Sequence, residues 1–196
     1  LRKNYFDSLR FKSLKFKKIL ADYPHYSIKE QIYLPLQLIK LKPDVVHFPA
    51  FNTPIFWLGK QIVTIHDLIK HDSRGPKTTT RWEPLYWFKY FVYLVVSSAS
   101  ILKANRILTP SLDCKNELIR RFHLKPEKIV VTYEGVGENF FKITSTSSQF
   151  ISQLGIKKPF LAYTGSLYPH KNVENLIKAL LIINANRGLR VRLVIT

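Results

Sequence analysis

The sequence predicts an α/β protein built on parallel sheet, and three observations carry that prediction. Short β-branched runs recur along the chain, and stretches of helical periodicity separate several of them. The runs are apolar at consecutive positions, as in strands covered on both faces. Strand–helix alternation of this kind places helices over a parallel sheet. The length of 196 residues fits roughly one to two domains of about 100–200 residues each. With 46% hydrophobic and 22% charged residues, the composition is near the globular average and argues against wholesale disorder. A chain of this size can bury a sizeable core.

The first run is Asp44-Val45-Val46-His47-Phe48, followed closely by Gln61-Ile62-Val63-Thr64-Ile65. Four more follow: Arg106–Thr109, Ile129–Thr132, Phe160–Tyr163 and Val191–Ile195. A helix is expected after Ser111, a natural N-cap, with Asp113 at its positive start and Arg120 and Arg121 at its negative end. Its Cys114, Leu118 and Phe122 share one face, so Cys114 reads as a core thiol. As the lone cysteine it also excludes an internal disulfide and a multi-cysteine zinc site, in keeping with a reducing cytosol. Another helix is expected from about Lys171 to Arg187, stopped by Gly188, with Val173, Leu176, Ile177 and Leu180 inward. A third opens at Pro84 and runs towards Lys103, rich in Tyr86, Trp87, Phe88, Tyr90, Phe91 and Tyr93. Its uninterrupted apolar run, Tyr90–Val96, is far short of the roughly 20 residues of a membrane helix, so no spanning segment is expected.

The Ser/Thr-rich stretch Ile143–Ser148, with Gly155 and Pro159 beyond it, reads as a linker. The expected organisation is a first α/β domain over 1–143, a linker over 144–158 and the start of a second α/β domain over 159–196. The second domain breaks off after one strand-helix-strand. Methionine is absent and residue 1 is leucine, so the chain reads as a piece of a longer gene product.

The formal net charge is +18, which favours an anionic partner. Residues 1–43 hold Arg2, Lys3, Arg10, Lys12, Lys15, Lys17, Lys18, Lys29, Lys40 and Lys42, interleaved with Tyr5, Phe6, Phe11, Phe16, Tyr23 and Tyr26. A solvated helical face explains this pattern, as does an anionic membrane surface. Nucleic acid is the weakest reading, because the sequence carries no helix-turn-helix, zinc-finger or RNP-like signature.

Two stretches carry candidate chemistry. The run Ile62–Ile65 ends in His66-Asp67, at the carboxyl end of a parallel strand, where ligands bind in open α/β sheets. His66 can hydrogen-bond a phosphate or sugar oxygen there, with Asp67 orienting its ring. The following pair His71-Asp72 only superficially resembles a metal cluster. In the second stretch, Tyr163-Thr164-Gly165-Ser166-Leu167-Tyr168-Pro169-His170-Lys171-Asn172, a strand runs through a glycine turn into a helix start that carries Lys171. Helix-start N–H groups beside an ammonium suit a diphosphate. The stretch is neither a Walker A loop nor a dinucleotide fingerprint. The sequence also holds no Asp-x-Asp to bridge a metal to a diphosphate, and no Gly-x-Ser-x-Gly nucleophile elbow.

Five blocks, in order, resemble family 4 retaining glycosyltransferases (glycosyltransferase group 1). They are Pro43–Pro49, Val63–Leu68, Ile107–Ser111, Glu127–Val136 and Tyr163–Asn172, and the similarity spans about residues 27–196. It implies a GT-B architecture, two Rossmann-like domains that hold a nucleotide sugar between them, here a partial N-terminal domain and the start of the C-terminal one. The implied activity is metal-independent transfer of a hexose, with a mannosyl- or glucosyltransferase favoured, from a nucleotide-sugar donor to a saccharide or lipid-linked acceptor. No cofactor or metal is implied. Carried over by residue, His66 and Asp67 are the catalytic positions. Gly165, Ser166, His170, Lys171 and Asn172 bind the donor, with Lys171 neutralising the leaving diphosphate. Ser166 departs from the arginine of many members, and the turn Glu134-Gly135-Val136 reads as structural. The family's pair of glutamates is expected beyond Thr196, so the isolated piece is expected to be inactive. Localisation is expected to be cytoplasmic, with peripheral contact at an anionic inner membrane face. The alternative is a non-catalytic basic module for nucleotide, anionic lipid or nucleic acid.

Overall fold

The structure, a computed structural model, describes residues 1–11, 13, 15–72, 82–141, 151–188 and 190–196. The described residues form two compact units, Leu1–Asp72 with Trp82–Glu134, and Gly135–Thr196.

The first unit is built on a four-stranded parallel sheet: β1 (Val46–Phe48), β2 (Gln61–Thr64), β3 (Arg106–Thr109) and β4 (Ile129–Val131). The strands lie side by side in chain order, with Phe48 opposite Val63, Thr64 opposite Leu108 and Thr109 opposite Val131. Strand β1 starts at Val46 rather than Asp44 because its first ladder bond runs from the Val46 amide to the Lys60 carbonyl. All four strands end at one edge of the sheet, as parallel pairing requires.

Three longer helices accompany this sheet in the first unit. Helix α1 (Ile28–Leu41) lies in the basic, aromatic N-terminal region. The Ser27 hydroxyl accepts from the Glu30 amide at 3.1 Å, and the Glu30 carboxylate reaches back to the Tyr26 amide at 2.8 Å. This is a capping box displaced by one residue. Helix α2 (Glu83–Lys103) buries Tyr90, Tyr93, Val96, Ser97, Ser100 and Ile101. By length and composition α2 could cross a membrane, contrary to the expectation from its short apolar run. The run is broken by serines, yet they leave the helix intact, and Ser97 and Ser100 are fully enclosed. Helix α3 (Leu112–Phe122) starts as the sequence indicates, with the Ser111 hydroxyl accepting from the Cys114 amide at 3.1 Å.

The core joins Val63 and Ile65 of the β2 region, Ile101 and Ala104 at the end of α2, Ile107, Ile129, and Cys114 and Leu118 of α3. Phe122 packs against it from one side. Burial pushes the Cys114 thiol up from its ordinary pKa, and its Sγ donates weakly to the Ile65 carbonyl. It is a core thiol.

The second unit pairs β5 (Phe160–Tyr163) in parallel with β6 (Arg192–Ile195), connected through helix α4 (Val173–Arg187). The α-helix begins at Val173, not Lys171. Pro169–Lys171 forms a tighter turn closed by the Lys171 amide on the Tyr168 carbonyl, and Asn172 then adopts a left-handed φ of 56°. Gly188, at φ 60°, ends α4 as expected. Val173 and Leu180 are buried and Leu176 is half-buried. Ile177 is exposed, so the inward stripe is one residue narrower than the sequence suggests. The Thr144–Ser148 stretch of the expected linker lies outside the described residues.

Candidate functional site

The carboxyl edge of the first unit gathers chain segments that are far apart in sequence. Beyond β2 the ladder continues one step, with the Ile65 amide donating to the Leu108 carbonyl at 2.8 Å. His66 then emerges at the edge, half-exposed. Beyond β1 lies Pro49, and beyond β4 the Thr132 amide is tied to the Thr109 carbonyl before the chain reaches Glu134.

These segments meet on one ring. His66 Nδ1 lies 3.0 Å from Glu134 Oε1, and His66 Nε2 lies 3.1 Å from the Pro49 carbonyl oxygen. An ionised carboxylate and a carbonyl only accept hydrogen bonds, so each contact is a hydrogen bond only when the nitrogen it touches carries a proton. His66 thus stands at the strand ends between two acceptors. It remains open to solvent, as is Glu134.

Asp67 does not orient the His66 ring. Its Oδ1 accepts from the Ile69 amide at 3.0 Å and opens the short turn Ile69–Asp72. The carboxylate on the ring comes instead from 68 residues further along the chain.

The second His-Asp pair anchors that turn. The His71 ring packs on Tyr93, with centroids 5.1 Å apart, and edge-on to Phe122 at 5.9 Å. Asp72 pairs with Arg121, which also pairs with Glu117. Burial, and then the Arg121 charge, hold His71 below the ordinary histidine pKa. Among the described residues no group of three or more His, Cys, Asp or Glu side chains is placed to hold a metal.

In the second unit the loop Tyr163–Asn172 is shaped by local contacts. Gly165 has φ 147°, and a Cβ there would meet Tyr163 Oη at 3.2 Å. That hydroxyl donates to the Ser166 carbonyl at 2.7 Å. The Thr164 and Thr196 hydroxyls meet at 3.0 Å, tying the two strand ends together. The Tyr168 and His170 rings stack 5.9 Å apart. Gly165, Ser166, His170, Lys171 and Asn172 are all exposed. Beside the loop is a cleft of about 370 Å³ lined by Leu167, Tyr168, Pro169, Asn172, Val173, Glu174, Ile177 and Ile195. Of the expected donor-binding residues, only Asn172 lines it. Glu174 occupies the first turn of α4 and Asn172 makes no side-chain cap, so Lys171 sits just before the helix start rather than within it.

Sequence reasoning missed the Glu134 and Pro49 contacts to His66. The available signal was positional: each residue closely follows a strand of the same parallel sheet, so each falls at the same edge.

A sequence model of Glycosyltransferase Family 4 matches residues 11–139. The chain is 26% identical over 125 residues to the O-antigen chain mannosyltransferase RfbU of Salmonella typhimurium strain LT2, covering 62% of this chain and 29% of that protein. It is similar to the crystal structure of a glycosyltransferase from Rickettsia africae ESF-5, with a TM-score of 0.49 and 15% identity, over 91% of this chain and 54% of that one. The chain therefore spans under a third of the curated relative and about half of the solved structure.

Proposed function

This chain belongs to glycosyltransferase family 4, and we propose that it serves a retaining, metal-independent hexosyltransferase. The donor is a nucleotide sugar and the acceptor a saccharide or lipid-linked saccharide. A mannosyl donor is favoured because the Salmonella relative is an O-antigen chain mannosyltransferase. The observation that carries the reading is the His66 cluster at the carboxyl edge of the parallel sheet, inside the region matched by the family model. Hydrogen-bonding groups held where negative charge develops as the glycosidic bond breaks are worth most when they are already in place.

In this reading His66 contacts the donor sugar or its phosphate, while Asp67 shapes the turn beside it. Lys171 neutralises the departing diphosphate, helped by His170, Asn172 and the backbone at Gly165 and Ser166. Metal-free chemistry is supported by the lack of any Asp-x-Asp in the sequence. The protein works in the cytoplasm and touches an anionic inner membrane face through the exposed Trp82, Trp87, Phe88 and Phe91 beside and on α2, with the +18 charge adding attraction.

The test incubates the protein carrying this chain with GDP-mannose, UDP-glucose and a lipid-linked saccharide acceptor, with and without EDTA. Transfer with retained anomeric configuration and no EDTA effect is expected. Inversion, or loss of transfer in EDTA, contradicts the retaining metal-free form. Absence of transfer from every nucleotide sugar contradicts the enzyme reading and favours a binding module.

A further inference from the structure

We propose that Glu134 is the positioning residue that sets which nitrogen of His66 faces the substrate. The proposal rests on the reading of His66 as the group that meets the donor sugar or phosphate, and extends it to a residue that the sequence suggests is only part of a turn.

The geometry gives the reason. Both partners of the ring are acceptors, a carboxylate at 3.0 Å on Nδ1 and a carbonyl at 3.1 Å on Nε2. While the ring is doubly protonated, both bonds hold. When it loses one proton, only one of the two bonds survives, and the two acceptors are not equal. A hydrogen bond to an ionised carboxylate is about twice as strong as one to a neutral carbonyl. The remaining proton therefore stays on Nδ1, against Glu134. Nε2 is left as a lone pair facing the Pro49 oxygen, an unfavourable pairing that a hydroxyl donor relieves by inserting or by displacing the carbonyl. The nitrogen released to the substrate is Nε2. It donates in the charged ring and accepts a sugar O–H in the neutral one.

The second partner bond of a histidine decides its tautomer and its orientation. Here Glu134 makes that bond, and the short path from β4 fixes where Glu134 stands. The neighbouring carboxylate, Asp67, is engaged elsewhere: its Oδ1 accepts from the Ile69 amide. Without the carboxylate, the neutral ring has the Pro49 carbonyl as its best acceptor. The proton then moves to Nε2, and the face presented to substrate changes from acceptor to donor.

Nitrogen-15 NMR of the ring nitrogens, in alkaline buffer where the imidazole is neutral, reads the tautomer directly in this chain. The parent is expected to carry the His66 proton on Nδ1, and Glu134→Ala is expected to carry it on Nε2. Glu134→Gln keeps an acceptor oxygen without the charge and is expected to show a mixture. A parent proton on Nε2, or an Nδ1 proton that stays in place in Glu134→Ala, overturns the proposal. Because Glu134 is exposed, thermal unfolding of the variants should match the parent. If Glu134→Ala nevertheless misfolds, the parent and Glu134→Gln spectra decide the matter. The measurement uses no nucleotide sugar, so failure of sugar transfer would refute the enzymatic reading and leave the tautomer result standing on its own.

Discussion

The two units hold their candidate residues in different ways. In the first, His66 is fixed by partners from two other strand ends, over a core in which Val63, Ile107 and Leu118 are wholly enclosed. In the second, the loop Tyr163–Asn172 is set by its own turns and by β6, over two buried apolar side chains, Val173 and Leu180. Among the described residues, no hydrogen bond or ion pair holds the Lys171 ammonium. In the proposed reading the first region would act through geometry and the second through charge. Perturbing packing should therefore disturb the His66 cluster, whereas the Lys171 loop should respond mainly to loss of its cation.

The largest effect should come from the core. Leu118→Ala is expected to lower stability by about 3 kcal/mol, as for other enclosed leucines, while Leu181→Ala on the open face of α4 should change it by no more than about 0.5 kcal/mol. Urea unfolding followed by circular dichroism checks both, and equal losses would erase the contrast between the units. Next in size is Lys171→Ala. It should weaken nucleotide-sugar binding about tenfold or more, the scale of one charged hydrogen bond, without altering the melting temperature. A shifted melting temperature would mean that Lys171 helps hold its loop.

Ser111→Ala removes the cap of α3 and should cost about 1 kcal/mol, read from the same urea curves. The smallest effect is set by pH. The folded protein holds His71 below its ordinary pKa through burial and Arg121. The unfolded chain therefore binds the proton more readily. Stability is complete above the ordinary value and falls as pH drops from there through the lowered folded value. Melting temperature should fall on acidification through that window, and less so in His71→Phe. Identical slopes in the two proteins would show that His71 does not set the response.

Much of this fold was legible because its signals are local. Six short apolar runs mark the six strands found among the described residues, and Ser111 and Gly188 mark helix ends through backbone chemistry that needs no tertiary partner. Helix α1 was obscured by Pro35, which lies inside it and which in sequence reads as a helix breaker. The start of α4 was misplaced by two residues because Asn172 takes a left-handed conformation that sequence alone rarely betrays. At the site, His66 could be found from its place at a strand end. Its partner was missed because Asp67, adjacent in sequence, instead caps the Ile69 amide, while Glu134 arrives through the parallel order of β2, β3 and β4, a signal that needs the sheet order as well as the sequence.

The most direct measurement is sugar transfer by His66→Ala in the protein carrying this chain, with nucleotide affinity measured in parallel. A general acid–base or charge-stabilising group at the reacting centre is worth about a hundredfold or more. Turnover should fall by about that much, with nucleotide binding little changed. Turnover within about threefold of the parent, a difference of about 0.6 kcal/mol, would contradict the account and remove His66 from the reaction.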